Sequence, residues 1–192
     1  MNWQRGFEGR LRTAIQRQTR ALAINLGRSV EFAEDAGDGS SRMDLTWITG
    51  RLALGGGIWT SEHMSEISRA GITHIIDMQI EFDDTPLAKP FGIDVLWNPT
   101  DDDFQPKEPE LFQRGVEFAQ QALEHENAKV FIHCAAGVHR AAMMTLALLC
   151  SQGWDLEDAM QTISSRRPVV DFAGVYVNSV EKFLQQQVKA AN

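Results

Sequence analysis

The sequence predicts an α/β fold with a central mixed, mainly parallel sheet flanked by helices. Short apolar segments with strand character alternate along the chain with longer amphipathic segments of helical periodicity, and this alternation is typical of such folds. The segment 130–142 also reads as a strand, a tight loop and a helix. Because open α/β sheets bind ligands where a strand ends beside a helix N-terminus, this loop is the predicted functional site.

The size and composition of the chain fit one folded domain with an appendage. The 192 residues suffice for a core, and no apolar run approaches the roughly 20 residues that a membrane-spanning helix needs. The N-terminus lacks the features of a secretory signal. The chain has two cysteines, Cys134 and Cys150. The helix that starts at Arg140 rises about 15 Å to Cys150, and this separation should keep the two cysteines from forming a disulfide. The absence of a disulfide fits a reducing, cytoplasmic location.

Residues 1–30 form a basic amphipathic stretch that predicts an N-terminal helix. They hold six arginines and one glutamate, a net charge of +5, whereas the whole chain carries −8 and the remainder therefore −13. Such a helix either lies on a membrane surface or acts as a transit peptide, or it packs its apolar stripe against the domain. All three interpretations stay open, while the acidic body argues against nucleic acid as a partner.

The rest of the chain divides into a linker and a domain. Residues 31–42 are acidic, rich in Gly and Ser and without periodicity, which predicts a linker. The catalytic domain is predicted over residues 43–192. Its strands are short apolar runs bounded by turn residues: a pair that turns at Thr49 and Gly50, then Ile72–Met78, Ile93–Trp97 and Lys129–His133, with a loop marked by Asp83, Asp84, Pro86 and Pro90.

Capping residues and breakers delimit the predicted helices. Thr60 or Ser61 can cap a first helix that runs to Ala70 and stops at Gly71. Asp155 can cap a later one in the same way. The remaining boundaries follow from amphipathic periodicity and from the absence of breakers. The later helices are predicted over Leu111–Glu126, from Arg140 to the breaker at Gly153, from Asp155 to about Arg166, and over Gly174–Val188.

The loop after the strand at residues 129–133 places a thiol, Cys134, five residues before a guanidinium, Arg140. Amides of the loop and of the first helical turn lack intrahelical partners, and with the helix dipole they form a cradle for anions. The guanidinium adds a planar fork matched to two phosphate oxygens. The same positive field should lower the pKa of Cys134. The alternative is a strand–helix junction with a merely buried cysteine.

The segment His133-Cys134-Ala135-Ala136-Gly137-Val138-His139-Arg140 resembles the H-C-x-x-G-x-x-R signature of cysteine-dependent protein tyrosine phosphatases. The compact dual-specificity class fits best, over residues 43–184, including R-R-P-V-V-D at 166–171. This resemblance implies that Cys134 is the nucleophile, that Arg140 clamps phosphate, and that the loop residues between them bind the substrate phosphate. It further implies that His133 orients the loop, and the side chain of His139 is expected at the rim.

The resemblance also implies a general acid about three residues after a proline and roughly thirty before the cysteine. Counting from Pro99 favours Asp102, with Asp101 and Asp103 left open. Neighbouring negative charges are expected to raise the pKa of this carboxyl. The rival role of the three aspartates is metal binding, but no histidine or glutamate at a suitable spacing completes a site. The resemblance implies no metal or other cofactor.

Ala141 departs from the resemblance, because family loops usually follow the arginine with Ser or Thr. The implied activity is hydrolysis of phosphomonoesters through phosphocysteine, on phosphotyrosine and phosphoserine/threonine of proteins, with the second step slowed. One alternative is a phosphatase for phosphoinositides or another non-protein phosphate at a membrane surface, reached through residues 1–30. This loop has none of the lysines that lipid-acting relatives usually carry. Another alternative is a phosphate-binding module of low turnover.

Overall fold

The computed structural model describes residues 42–190. The helix predicted over residues 1–30 lies outside the described residues, and so does the linker predicted over residues 31–42, except for Arg42. The division into an N-terminal helix, a linker and a catalytic domain over residues 43–192 therefore stays a prediction.

Five strands form one sheet in the described part of the chain: β1 (Leu45–Trp47), β2 (Leu52–Gly55), β3 (His74–Asp77), β4 (Asp94–Trp97) and β5 (Val130–His133). They lie in the order β1-β2-β5-β3-β4. β1 pairs antiparallel with β2, and the other pairs are parallel. The predicted mixed, mainly parallel sheet is confirmed, and β5, which feeds the loop, lies at its centre.

Six helices accompany the sheet over residues 42–190: α1 (Ser61–Arg69), α2 (Thr85–Ala88), α3 (Pro109–Leu123), α4 (Arg140–Ser151), α5 (Leu156–Arg166) and α6 (Gly174–Ala190). Two predicted caps are confirmed. Thr60 accepts a hydrogen bond from the amide of His63 at the start of α1, and Asp155 accepts from the amides of Glu157 and Asp158 in the first turn of α5. None of these helices is long and apolar enough to cross a bilayer.

The loop predicted from Asp83, Asp84, Pro86 and Pro90 is wrong in part. The chain forms α2 there, followed by a 3₁₀ turn over Lys89–Phe91. Proline in the first turn of a helix loses no hydrogen bond, because that amide has no intrahelical partner. Each of the two prolines lies in such a first turn. Asp84 is moreover fully buried.

The alternation of side chains along β5 divides the core into two parts and sets up the site. Val130 and Ile132 join the larger core formed with α3 to α6, whereas Phe131 packs on the other face of the sheet with residues of α1. The imidazole of His133 stacks on the ring of Phe131 at 5.2 Å between ring centroids. Cys134 joins the larger core. Adjacent residues thus place a histidine and a thiol on opposite faces of the sheet.

The two cysteines are free, as predicted from their separation along the helix. Cys134 is buried at the end of β5 and Cys150 is partly buried near the end of α4. Burial, together with the charge of Asp155, raises the pKa of Cys150 to about 11. Cys150 is therefore overwhelmingly a neutral thiol near pH 7.

Candidate active site

The loop from Cys134 to His139 connects the central strand β5 to α4, and Arg140 is the first residue of that helix. Cys134 is 1% exposed and Arg140 is 3% exposed. Several carbonyl groups of the loop accept hydrogen bonds from residues outside it. The amide of Gly57 donates to the carbonyl of Ala135 at 3.2 Å, and a backbone amide in the α5–α6 loop donates to the carbonyl of Val138.

Arg167 holds the middle of the loop. Its Nε donates to the carbonyl of Gly137 at 2.9 Å and its Nη2 to the carbonyl of Ala136 at 3.3 Å. The same guanidinium binds both carboxylate oxygens of Asp44, at 2.7 and 2.6 Å. Such a bidentate pair fixes the orientation of the guanidinium plane. Arg167 thereby ties the loop to the chain entering β1.

Gly137 is required by the backbone of this loop. Its φ is +63°, a conformation that favours glycine. A Cβ atom at this position would lie 2.5 Å from the carbonyl carbon of Gly55 and 2.6 Å from Nη2 of Arg167. The central glycine of the motif therefore serves the close packing of the loop against β2.

Arg140 is oriented by a carboxylate that the sequence analysis missed, that of Glu81. The Nη1 and Nη2 atoms of Arg140 donate to the two oxygens of Glu81 at 2.9 and 2.8 Å, and Nη1 also donates to the carbonyl of Thr100 at 3.2 Å. Burial would raise the pKa of Glu81, but the charge and hydrogen bonds of Arg140 lower it. The Nε of Arg140 is buried and has no hydrogen-bond partner among the described residues.

Asp102 is the one aspartate of Asp101–Asp103 that reaches the loop within the described structure. Its Oδ2 lies 3.1 Å from Nδ1 of His139 and 3.9 Å from Nε of Arg140. The hydroxyl of Tyr176 donates to its Oδ1 at 3.0 Å. Asp101 accepts from the amide of Asp102, and Asp103 pairs with Lys107 at 2.5 Å. Of the three aspartates that the spacing left open, Asp102 is the one whose carboxylate lies beside His139 and Arg140.

The expectation of a raised pKa for this carboxyl is wrong. Burial would raise the pKa of Asp102, but hydrogen bonding and charge from His139, with Arg140 and Tyr176, lower it below its ordinary value. His139 and Arg140 outweigh the effect of burial because the carboxylate of Asp102 faces the loop. Asp102 is therefore held as a carboxylate.

The expected rim position of His139 is also wrong, because its side chain is only 4% exposed. One ring nitrogen faces Asp102, and Nε2 lies 3.5 Å from Oδ2 of Asp171. The ring of Phe104 meets the imidazole edge-on, at 5.1 Å between ring centroids. Burial lowers the pKa of His139, but Asp102 and Asp171 together raise it above the ordinary value. We call His139, Asp102 and Asp171 the front cluster.

A second histidine–carboxylate group lies behind the loop and is fully buried. The Nε2 of His133 lies 2.8 Å from Oδ2 of Asp84 and 3.8 Å from Oδ1 of Asp77. Burial lowers the pKa of His133, but the two carboxylates raise it. Burial and the charge of Asp84 raise the pKa of Asp77, despite the opposing charge of His133. We call these three residues the rear cluster.

The rear cluster is also the one group over residues 42–190 whose side chains meet the spacing of a metal site, with ligand atoms within 4.8 Å of one another. The short contact between His133 and Asp84 already explains this proximity as an ion pair. The aspartates at 101–103, weighed as metal ligands from the sequence, do not form such a group.

Ala141 is fully buried in the first turn of α4. The nearest hydroxyl along this helix, that of Thr145, donates to the carbonyl of Ala141 at 2.8 Å. That hydroxyl therefore satisfies the backbone, as Ser and Thr side chains often do inside helices. It does not replace the hydroxyl expected at position 141.

Several residues of the site were missed by sequence reasoning: Glu81, Tyr176, Arg167, Asp171, Asp77 and Asp84. Arg167 and Asp171 belong to the segment R-R-P-V-V-D, which the sequence analysis associated with the family without giving these residues a role. The others are separated from the loop by many residues and belong to no motif. Two surface depressions, of about 580 and 410 Å³, flank Trp154 and include no residue of the loop.

Comparison with known proteins identifies the family. The family model for the catalytic domain of dual specificity phosphatases matches residues 57–186, more than half of the chain. Mouse protein phosphatase Slingshot homolog 3 is 29% identical over 117 residues, which are 60% of this chain and 17% of that protein. Rat dual specificity protein phosphatase 26 is 30% identical over 112 residues, 57% of this chain and 53% of that protein. The chain therefore matches only part of the length of these relatives.

Solved structures share the fold. A crystal structure of PTPMT1 in complex with PI(5)P aligns with a TM-score of 0.68 at 19% identity, covering 77% of this chain and 99% of that one. Human DUSP28 aligns with a TM-score of 0.64 at 20% identity, covering 77% of this chain and 99% of that one. At such identities the likeness concerns the fold alone.

Proposed function

The chain belongs to the dual-specificity phosphatase catalytic-domain family, and on this premise we propose that it hydrolyses phosphomonoesters through a phosphocysteine at Cys134. The observation that supports the proposal best is the convergence of Arg140 and Asp102 at the loop. The two side chains come within 3.9 Å, although 37 residues lie between them in the sequence. A phosphatase of this kind needs a thiolate, an anion clamp and a proton donor around one phosphorus atom.

In the proposed first step the Sγ of Cys134 attacks phosphorus in line with the departing oxygen. The substrate-binding residues are Ala135, Ala136, Gly137, Val138 and His139, acting through their backbone amides. The carbonyls of Ala136 and Gly137 support this role, because they accept hydrogen bonds from Arg167 on the outer side of the loop. Peptide groups whose carbonyls point outward can direct their amides toward the centre of the loop. Preorganised donors of this type stabilise the charge that develops in the transition state.

Arg140 would bind two oxygens of the phosphoryl group. Glu81 engages the outer edge of its guanidinium, while the buried Nε lacks a hydrogen-bond partner among the described residues. The edge formed by Nε and Nη2 can therefore donate to the phosphate while Glu81 keeps the plane fixed. A lysine could not make both sets of contacts.

Asp102 is the proposed general acid and then the base. It would protonate the leaving oxygen in the first step and take a proton from the attacking water in the second. Neither step calls for a metal ion or another cofactor.

We infer that the substrates are phosphotyrosine and phosphoserine/threonine in proteins, in the cytoplasm. Membership of the dual specificity phosphatase family supports these substrates. Membrane contact through residues 1–30 stays a prediction from the sequence, since these residues lie outside the described part of the chain. An acidic protein of this kind is not expected to bind nucleic acid.

The alternative of a phosphoinositide substrate draws on the PI(5)P complex of PTPMT1. Charge argues against it, because the carboxylates of Glu81, Asp102 and Asp171 surround the loop, and the loop itself has no lysine. Liposome co-sedimentation of the full chain, compared with a chain that begins at Met43, tests this alternative. The module of low turnover is tested by the burst experiment on Ala141 below.

The main test is Cys134→Ser on the full chain. Turnover of an aryl phosphate should vanish, while inhibition of the wild type by inorganic phosphate shows that the loop binds the anion.

Asp102→Asn should lower kcat by about a hundredfold or more, the usual contribution of a general acid. Asp101→Asn and Asp103→Asn are matched controls and should change kcat little. Activity that survives Cys134→Ser would refute the proposal. A panel of phosphotyrosine, phosphoserine and phosphoinositide substrates then ranks the substrate classes.

A further inference from the structure

The histidine that ends the loop, His139, is almost completely buried between two carboxylates. Its Nδ1 faces Oδ2 of Asp102 at 3.1 Å, and its Nε2 faces Oδ2 of Asp171 at 3.5 Å. Its side chain is 4% exposed, whereas those of Asp102 and Asp171 are 24% and 42% exposed. The imidazole therefore connects the proposed general acid to a second carboxylate nearer to solvent.

We propose that His139 is a positioning residue that shares one transferable proton with Asp102 and resupplies this acid during the reaction. The inference rests on the proposed function and extends it, because the donor becomes a histidine–aspartate pair rather than a lone carboxyl. Asp171 lies on the far side of the imidazole, with Oδ2 at an ion-pair distance of 3.5 Å from Nε2, and its charge favours the orientation in which Nδ1 faces Asp102.

The charges around His139 favour its protonated form. Asp102 faces it from the loop after β4, and Asp171 from the loop between α5 and α6. Arg140 is the opposing cation, and it lies near Asp102 at 3.9 Å. The hydroxyl of Tyr176 in α6 donates a hydrogen bond to Asp102 and adds no charge. Two carboxylates against one cation keep a proton on the imidazole, in keeping with its raised pKa.

This arrangement answers a difficulty raised by Asp102 itself. A carboxyl whose pKa is lowered is ionised near neutral pH and has no proton of its own to give. An adjacent imidazolium can supply that proton as the leaving oxygen becomes basic. The pair as a whole then donates at pH values where a lone carboxyl would be ionised.

The proton balance of the two steps is as follows. Sγ of Cys134 bonds to phosphorus, the bond from phosphorus to the leaving oxygen breaks, and that oxygen takes a proton through Asp102 from Nδ1 of His139. In the second step water attacks phosphorus, the bond from sulfur to phosphorus breaks, and its electron pair returns to Sγ. A proton of the water passes through Asp102 to Nδ1, and inorganic phosphate leaves.

The test is His139→Asn in the full chain, because asparagine can still donate a hydrogen bond to Asp102 but carries no transferable proton. Two substrates are compared: phenyl phosphate, whose leaving group resembles tyrosine, and 4-nitrophenyl phosphate, whose leaving group needs little protonation. The loss in kcat/KM should be about tenfold larger for phenyl phosphate than for 4-nitrophenyl phosphate. This factor is smaller than the full effect of general acid catalysis, because Asp102 is still present. The basic limb of its pH profile should also move to lower pH.

Inhibition by inorganic phosphate should be unchanged in His139→Asn, which shows an intact loop, and the exposed His125→Asn is the matched histidine control. An equal loss on both substrates with phosphate inhibition retained would overturn the inference. If His139→Asn does not fold, Asp171→Asn replaces it. That variant should move the basic limb for phenyl phosphate to lower pH, and an unmoved limb would overturn the inference. Activity of Cys134→Ser would instead refute the proposed function, so the two failures are distinguishable.

Discussion

The front and rear clusters place a histidine and two carboxylates on opposite sides of the same loop. His133 and both its partners are completely buried. His139 is nearly buried, but its partners Asp102 and Asp171 reach solvent. The pKa of each histidine is raised, and in each case two carboxylates overcome the effect of burial.

The difference in exposure gives similar chemistry two different consequences. Protons and charges in the rear cluster are isolated, so their main effect is on the free energy of unfolding. The carboxylates of the front cluster reach solvent, so we expect their main effect on turnover. The carboxylates also differ: burial dominates at Asp77 and raises its pKa, whereas the cations of the loop dominate at Asp102 and lower it.

The largest expected effect is that of Asp84→Asn in the rear cluster. Loss of this charge leaves the buried imidazolium of His133 with the more distant Asp77 as its counter-charge. Breaking a buried ion pair costs on the order of 3 kcal/mol, and urea denaturation would measure it. The matched variant in the front cluster is Asp171→Asn, which should cost less than about 1 kcal/mol because its carboxylate is well exposed. Equal losses would remove the distinction between the clusters.

The sequence predicted most of the frame that carries these clusters. Caps and breakers located the helices, as Thr60 and Asp155 show, and short apolar runs located the five strands. The main error in the order of elements is at residues 83–91, where two prolines predict a loop although each lies in the first turn of a short helical segment. A proline in sequence does not distinguish these cases, because it suits both.

The site itself was predictable only as far as local motifs extend. The loop and the Asp101–Asp103 segment stood out because their residues are adjacent. Glu81 did not, since a lone glutamate in a loop carries no signal until the fold brings it to Arg140. The orientation of His139 and the direction of the pKa shift of Asp102 were predicted wrongly for the same reason. Both depend on contacts between residues that are far apart in the sequence.

The next effect concerns Glu81→Gln, which tests whether the partly exposed carboxylates act on turnover more than on folding. Glutamine keeps one acceptor for Arg140, but its NH2 group cannot accept from the second guanidinium nitrogen, so one of the two hydrogen bonds and the carboxylate charge would be lost. The plane of the guanidinium would then be held less firmly. We expect kcat/KM for an aryl phosphate to fall about tenfold, from a hydrogen-bond contribution of roughly 1.5 kcal/mol. The exposed Glu126→Gln is the control. A variant with unchanged kinetics and a large loss of stability would assign Glu81 to folding instead.

A smaller effect is expected in the pH dependence of stability. Folding raises the pKa of both Asp77 and His133, so the folded state binds more protons than the unfolded one. Their contribution to stability is fully present at low pH and is lost as pH rises through the folded pKa values. Asp77→Asn should therefore reduce the loss of stability between pH 5.5 and pH 8 by about 1 kcal/mol. Urea denaturation at the two pH values measures this difference, and an unaltered difference would contradict the assigned direction for Asp77.

The smallest effect, a change of several-fold, is expected at Ala141, and it concerns the second chemical step. In the proposed mechanism the front cluster activates water, but no side-chain hydroxyl at position 141 helps sulfur to leave. The hydroxyl of Thr145 donates to the carbonyl of Ala141 instead. Wild type should therefore accumulate phosphocysteine, seen as a burst of product in rapid-quench kinetics with an aryl phosphate. Ala141→Ser should shrink the burst and raise kcat about threefold to tenfold, the range of one neutral hydrogen bond. Ala142→Ser is the control. If wild type shows no burst and Ala141→Ser leaves kcat unchanged, the front cluster alone suffices for hydrolysis of the phosphoenzyme.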